Sequence, residues 1–188
     1  MGDVKILAFA GSGRSGSVNT KLVESATDQL TTRGCTVTHI SLKDFSIPIY
    51  DGDLEKADGV PENVVKLAQL MHDHDGFFIT CPEYNGSLSP LLKNAIDWVT
   101  RVPNADNGLV PFQNKVAAIG AASPGGMGGI SMLYHLRQIL VRLGTLVVSE
   151  QVTVGNAFSA FNEDNSLKEE RCANHLTAAC ASLVEKIK

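Results

Sequence analysis

The chain has 188 residues, 44% of them apolar, and 16 Lys and Arg stand against 20 Asp and Glu for a net charge of −4. At this length folding buries roughly 70% of the unfolded chain's surface, so a single domain over residues 1–188 is expected to stand without disulfides or a structural metal. The acidic balance offers no basic face to a phosphate backbone, and the apolar runs fall short of the ~20 residues of a membrane-spanning helix, so neither nucleic acid nor membrane is an expected partner.

The amino-terminal run Met1-Gly2-Asp3-Val4-Lys5-Ile6 has no basic-then-apolar leader and passes directly into a strand, which predicts a cytoplasmic protein. Gly2 does not fit a myristoylation pattern, because Ile6 stands where Ser or Thr is required. Residues 4–10 are the first apolar run of strand length. After the loop Gly11-Ser12-Gly13-Arg14-Ser15-Gly16-Ser17-Val18-Asn19, the residues Val18, Leu22, Val23, Ala26 and Leu30 repeat at helical spacing. Residues 35–42 are more polar and half-alternating, as in an edge strand. In Phe45-Ser46-Ile47-Pro48-Ile49-Tyr50 the pattern supplies no helix to bury Ile47, Ile49 and Tyr50, so this stretch and the surroundings of Trp98 read as a partner surface.

Val60, Val64, Leu67 and Met71 mark a second helix, and residues 76–81 a strand buried on both faces. The loop Pro82-Glu83-Tyr84-Asn85-Gly86-Ser87 leads into a helix over 88–100 with Ser87 or Ser89 as its cap. Strand 116–122, loop 123–129, a helix through Ile130, Leu133, Leu136, Leu140 and Leu143, a short strand at 146–148 and a helix over 167–187 follow. Five β-α repeats predict an α/β fold, a doubly wound five-stranded parallel sheet with helices on both faces. Ligands bind such sheets beyond the carboxyl ends of the strands, so function is expected in loops 11–19, 82–87 and 123–129.

The first loop is a literal G-x-G-x-x-G, which suits either of two ligands. A dinucleotide site needs an acid at the end of the second strand, where this chain has Ser41-Leu42-Lys43, and a substrate domain for which there is little room. A monophosphate cradle needs only what the loop offers: the Ser12 and Ser17 hydroxyls, the Asn19 amide, the Arg14 guanidinium and free N–H groups at a helix start. A turn that merely caps the helix is the remaining reading. No Gly-Lys-Ser/Thr closes the loop, which excludes a P-loop. Cys35, Cys81, Cys172 and Cys180 include no CxxC pair and read as small buried hydrophobes, and His72 and His74 do not share a helical face, so no metal site is assigned. His135 reads as a surface or interface residue, and no Gly-x-Ser-x-Gly elbow is present.

Residues 82–87, followed by Lys93-Asn94-Ala95-Ile96-Asp97-Trp98, resemble the NADPH-dependent FMN reductase family, which includes cytoplasmic quinone, chromate and azo-dye reductases of flavodoxin-like fold. The first loop is similar to that family's G-S-x-R-x-x-S-x-N, and Tyr134-His135-Leu136-Arg137-Gln138-Ile139-Leu140 to its fourth helix. The resemblance implies that Ser12, Arg14, Ser17, Val18 and Asn19 hold the FMN phosphate. Pro82, Glu83, Tyr84, Asn85 and Gly86 then run along the isoalloxazine, with Ser123 and Gly126 closing the third side. Tyr84 either flanks the ring or serves an interface. Glu83 reads as a loop or interface residue rather than a general acid, since hydride transfer to flavin needs none, and no catalytic side chain is assigned.

The glycines of 123–129 are expected to leave a ring face open for NADPH or NADH and then a quinone, azo compound, nitro compound or oxidised metal. Arg14 and Lys43 are candidate contacts for the extra phosphate of NADPH. A homodimer or homotetramer is implied, although Ser131 stands where the family's quinone and chromate reductases tend to carry an Arg that bridges subunits. Two competing readings are a flavodoxin-like electron carrier with no NAD(P)H oxidation of its own, and a non-enzymatic or dinucleotide-binding domain.

Overall fold

The computed structural model describes residues 3–102 and 110–188, and Gly2 lies outside them. Strand β1 (Lys5–Ala10) sends Leu7 and Phe9 to one face of the sheet and Ile6 and Ala8 to the other. Strands β2 (Thr36–Ser41), β3 (Gly76–Thr80), β4 (Val116–Ala122) and β5 (Leu146–Val154) complete an all-parallel sheet in the order β2-β1-β3-β4-β5. This is the flavodoxin-like order, with its switch point between β1 and β3.

On one face α3 (Glu62–Asp73), α4 (Pro90–Val99) and α5 (Ile130–Arg142) bury Leu67, Leu92, Trp98, Leu133 and Leu136. On the other, α1 (Val18–Thr32) and α6 (Glu170–Ile187) bury Leu22, Leu30, Leu176 and Leu183. Covered from both sides, β3 and β4 are buried at every position, hence their unbroken apolar sequence. The four cysteines are free and buried, and burial pushes the Cys180 thiol up to about 12, as expected of inert packing groups.

Two elements depart from the sequence reading. Helix α2 (Gly52–Asp58) buries none of its seven residues, so it leaves no apolar stripe to detect; its start is held by Asp51, whose carboxylate accepts from the Asp53 and Leu54 amides. Strand β5 runs nine residues where a short strand at 146–148 is expected. Its pairing with β4 slips from Ala117↔Val147 to Ile119↔Gln151, and the polar stretch Ser149-Glu150-Gln151 at this irregularity breaks the apolar run.

The expected partner surface is largely internal. Trp98 is fully buried, its Nε1 donates to the Pro48 carbonyl at 2.8 Å, and Tyr50 meets it edge-on at 5.0 Å between centroids. Asn94 takes the Tyr50 amide at 2.8 Å and donates to Pro48 O at 2.7 Å, so α4 itself supplies the anchor for residues 45–50. Ile47 also packs on the core, and of these side chains Ile49 alone is strongly exposed.

Glu55 accepts from Arg101 Nε at 2.8 Å and from the Tyr50 hydroxyl at 2.9 Å. The hydrogen bond from Arg101 holds its carboxyl below the usual range. A depressed pKa contributes stability above the ordinary carboxylate range and loses it as pH falls through the folded-state value. Acid titration should therefore loosen residues 45–58 before the core yields. Trp98, the only tryptophan, reports this as an emission change, and Glu55→Gln should lack that acid step.

Candidate functional site

Loop 11–17 leaves β1 and is pinned at its base by the Gly11 amide on Thr80 O at 2.7 Å. Ser17 is the N-cap of α1, its Oγ accepting from the Asn19 amide at 3.2 Å. Among the described residues, no protein acceptor takes the main-chain N–H groups of residues 12–16, Val18 or Thr20. Bare amides at the positive end of a helix form a docking point for an anion. Those of residues 12–16 and Thr20 border a cleft of about 460 Å³ that Lys21, His39 and Lys43 also line. Glu24 reaches the same cleft but accepts from Asn165 Nδ2 at 2.9 Å. Among the described residues, Arg14, Lys21 and Lys43 have no acidic partner at ion-pair distance, so the cleft is electropositive in an acidic protein.

Val18 is buried and does not line the cleft; it contributes only a free N–H at the helix start. Asn19 corrects the sequence reading: its side chain is 1% exposed, with Nδ2 on Ala122 O and Oδ1 on Ala122 N, both at 2.9 Å. Its amide is spent on the end of β4 and not turned toward an anion, so Asn19 ties the first loop to the third. The Thr80 hydroxyl, donating to Asn19 O at 2.8 Å, adds β3 to the same knot.

The second loop closes on itself. Tyr84 and Ser87 exchange two main-chain hydrogen bonds at 2.9 and 3.1 Å, and the residues between them, Asn85 at φ 53° and Gly86 at φ 79°, supply the two left-handed positions of a tight type I′ turn. Asn-Gly is the residue pair best suited to that turn. Tyr84 is 51% exposed at its rim. Ser89 caps α4, its Oγ accepting from the Leu92 amide at 3.2 Å, which settles the choice between Ser87 and Ser89. Glu83 Oε2 accepts the Ser131 and Met132 amides at 3.1 and 3.3 Å, joining the second loop to the start of α5.

The third loop hangs from β5: the Ser123 amide donates to Val154 O at 3.0 Å, and Ser123 O accepts from the Ala157 amide at 3.1 Å. Residues 124–127 are exposed, and Met127, 75% exposed, is the one large side chain among them. Gly126 also borders a cleft of about 220 Å³ shared with Thr153, Gly155 and His175 on the β5 side. His135, on α5, lies 3.0 Å through Nδ1 from Ser87 Oγ.

Away from the loops, His72 Nδ1 accepts the Val110 amide, and buried His74 bonds Leu70 O and Thr38 Oγ1, so the two histidines face separate structural partners. The three loops leave the adjacent strands β1, β3 and β4, and Asn19 and Glu83 fasten them to one another. The result is an anion cradle beside two loops rich in main-chain donors and acceptors, an arrangement suited to a flat ligand with a phosphate tail.

The family model described as NADPH-dependent FMN reductase matches residues 4–159. An NAD(P)H-dependent FMN reductase of Pseudomonas aeruginosa is 37% identical over 171 residues, covering 90% of this chain and 87% of that protein. A quinone reductase of Escherichia coli is 35% identical over 143 residues, 75% of this chain and 73% of the other. The structure of FerB, a flavoenzyme NAD(P)H:(acceptor) oxidoreductase from Paracoccus denitrificans, superposes with a TM-score of 0.81 at 29% identity, over 98% of this chain and 97% of its own. With the site's geometry, these matches make the chain a member of the NADPH-dependent FMN reductase family, an oxidoreductase with FMN as its cofactor and NAD(P)H as its electron donor.

Proposed function

We propose that this protein is a cytoplasmic reductase of quinones, azo and nitro compounds and oxidised metals, in which NAD(P)H and acceptor take turns at one flavin face. The observation that carries this reading is the cluster of N–H groups over residues 12–16 with no acceptor among the described residues, set with Ser12 and Arg14 on the electropositive cleft. Those groups would hold the FMN phosphate, with Ser17 serving mainly as the cap that shapes the helix start. Pro82, Glu83, Tyr84, Asn85 and Gly86 would border the ring through main-chain groups, which suit the alternating donors and acceptors of a pyrimidine edge. Ser123 and Gly126 would close the remaining side.

Bound there, FMN would supply the two-electron redox chemistry that links NAD(P)H to the acceptor. The protein's part is to orient the ring and keep a face open, since hydride transfer requires stacking at roughly 3–3.5 Å. No side chain is asked to move a proton. Stopped-flow mixing with NADPH or NADH tests the reading: rapid bleaching of bound flavin, followed by reoxidation with a quinone, is expected. Loaded protein that neither nucleotide reduces would make it an electron carrier, and purified protein that takes up no FMN would remove the flavin reading altogether.

A homodimer or homotetramer belongs to the same proposal. A groove of about 720 Å³ runs between α4 and α5, with Leu88, Ile96, Ile139 and Leu143 on its floor and Lys93, Asp97 and Arg142 at its rim. This mixture of apolar floor and charged rim suits self-association better than the 45–50 stretch does. Light scattering at micromolar concentration should give twice or four times the 20.0 kDa chain mass; a monomer overturns the assembly.

A further inference from the structure

Helix α5 begins without a cap of its own. Its N-cap residue, Gly129, sits at φ 85° and has no side chain to offer, while the Ser131 and Met132 amides donate to Glu83 Oε2. Gly129 is needed for the close approach as well as the dihedral, since a Cβ there would lie 2.7 Å from Ala121 Cβ and 3.7 Å from Glu83 Cβ. The acid that caps α5 thus comes from the turn after β3, 48 residues earlier than Ser131 in the chain. Farther along α5, His135 reaches Ser87 at the opposite end of that turn. Both ends of the 83–87 turn are fastened to one helix.

Resting on the reading that this turn borders the flavin ring, we propose that Glu83 is a positioning residue whose carboxylate locks the turn to the amino end of α5 and is partly neutralised there. A helix amino end carries about half a positive charge, and the Glu83 oxygen sits on two of its amides. The ring then faces a carboxylate about half compensated by the helix end. A free acid at this position would oppose the negative charge gained on reduction, and a bare helix end would favour it.

Two substitutions separate the tether from the charge. Glu83→Gln keeps an acceptor for the amides but removes the charge, so FMN affinity should stay within about threefold of wild type while the midpoint potential of bound flavin rises. Glu83→Ala removes both, so the potential should rise and the affinity of apoprotein for FMN should fall by about tenfold, read by flavin fluorescence quenching. Amide hydrogen exchange at Ser131 and Met132, measured on apoprotein, should quicken in Glu83→Ala and stay slow in Glu83→Gln.

Unchanged exchange in Glu83→Ala overturns the lock, and an unchanged potential in Glu83→Gln overturns the charge compensation. Wild-type apoprotein that binds no FMN defeats the site reading instead, and the exchange measurement still decides the lock. A cap that mattered only for stability would lower the melting temperature of Glu83→Ala without moving the potential of either variant.

Discussion

Arg14→Ala combined with Ser17→Ala should weaken FMN binding by roughly 10–10²-fold, because the Arg14 hydrogen bond to a charged group contributes ~1.5–3 kcal/mol and loss of the Ser17 cap loosens the helix start behind it. The two residues do not act alike. Arg14 is exposed and has no protein partner among the described residues, so Arg14→Ala alone should leave folding untouched and reduce only affinity. Ser17 is buried as the cap of α1, and its loss also costs about 1 kcal/mol of stability, which for a chain of this size lowers the melting temperature by ~2–4 °C. Titration of apoprotein by flavin quenching, with melting followed in parallel, separates the two contributions. Salt should weaken wild-type binding more than that of Arg14→Ala, because the guanidinium interaction is the part that screening reaches. Retention of flavin by the double variant through dialysis, at wild-type affinity, would remove loop 11–17 as the phosphate cradle.

The parts of this protein legible in its sequence are those in which one periodicity dominates. Residues 76–80 and 116–122 read as strands because helices on both faces demand apolar side chains at every position. Loops 11–17 and 82–87 read as functional because their Gly, Ser and Asn-Gly content has a mechanical purpose at a strand end. What the sequence hid is long-range. Helix α2 fully buries none of its residues and leans on the core through Leu54 alone, so no stripe betrays it. Trp98 and Tyr50 look like a partner surface until the Pro48 carbonyl and Asn94, 46 residues apart, are brought into contact.

Glu83 is the most instructive case. Capping acids are sought within the first turn of their own helix, and a cap supplied from another loop leaves no local signal. The only available hint was negative: the run Gly128-Gly129-Ile130 opens a strongly periodic helix with no Ser, Thr, Asp or Asn in the N-cap position. A helix start of that kind needs its donors satisfied from elsewhere.

Asn19→Ala should destabilise the protein by about 3 kcal/mol, because it strands the N–H and C=O of Ala122 in the interior and each unsatisfied group costs ~1–3 kcal/mol. Thermal unfolding should move down by ~6–12 °C on the scaling for chains of this length. Asn19→Asp should be worse than Asn19→Ala despite its closer shape. The Ala122 carbonyl, which now accepts from Nδ2 at 2.9 Å, would face a carboxylate oxygen, and at 1% exposure there is no water to separate the two. The order wild type, Ala, Asp in stability therefore identifies Asn19 as a tie between strand ends. The same substitution should also loosen the flavin site, since Ala122 immediately precedes Ser123 and Asn19 opens the helix behind the anion cleft. That second effect would follow the first, so stabilising the fold with osmolyte should restore part of the lost affinity in Asn19→Ala. An Asn19 that served as a phosphate ligand would give the opposite pattern, with melting left at the wild-type temperature, affinity reduced, and no recovery on stabilisation.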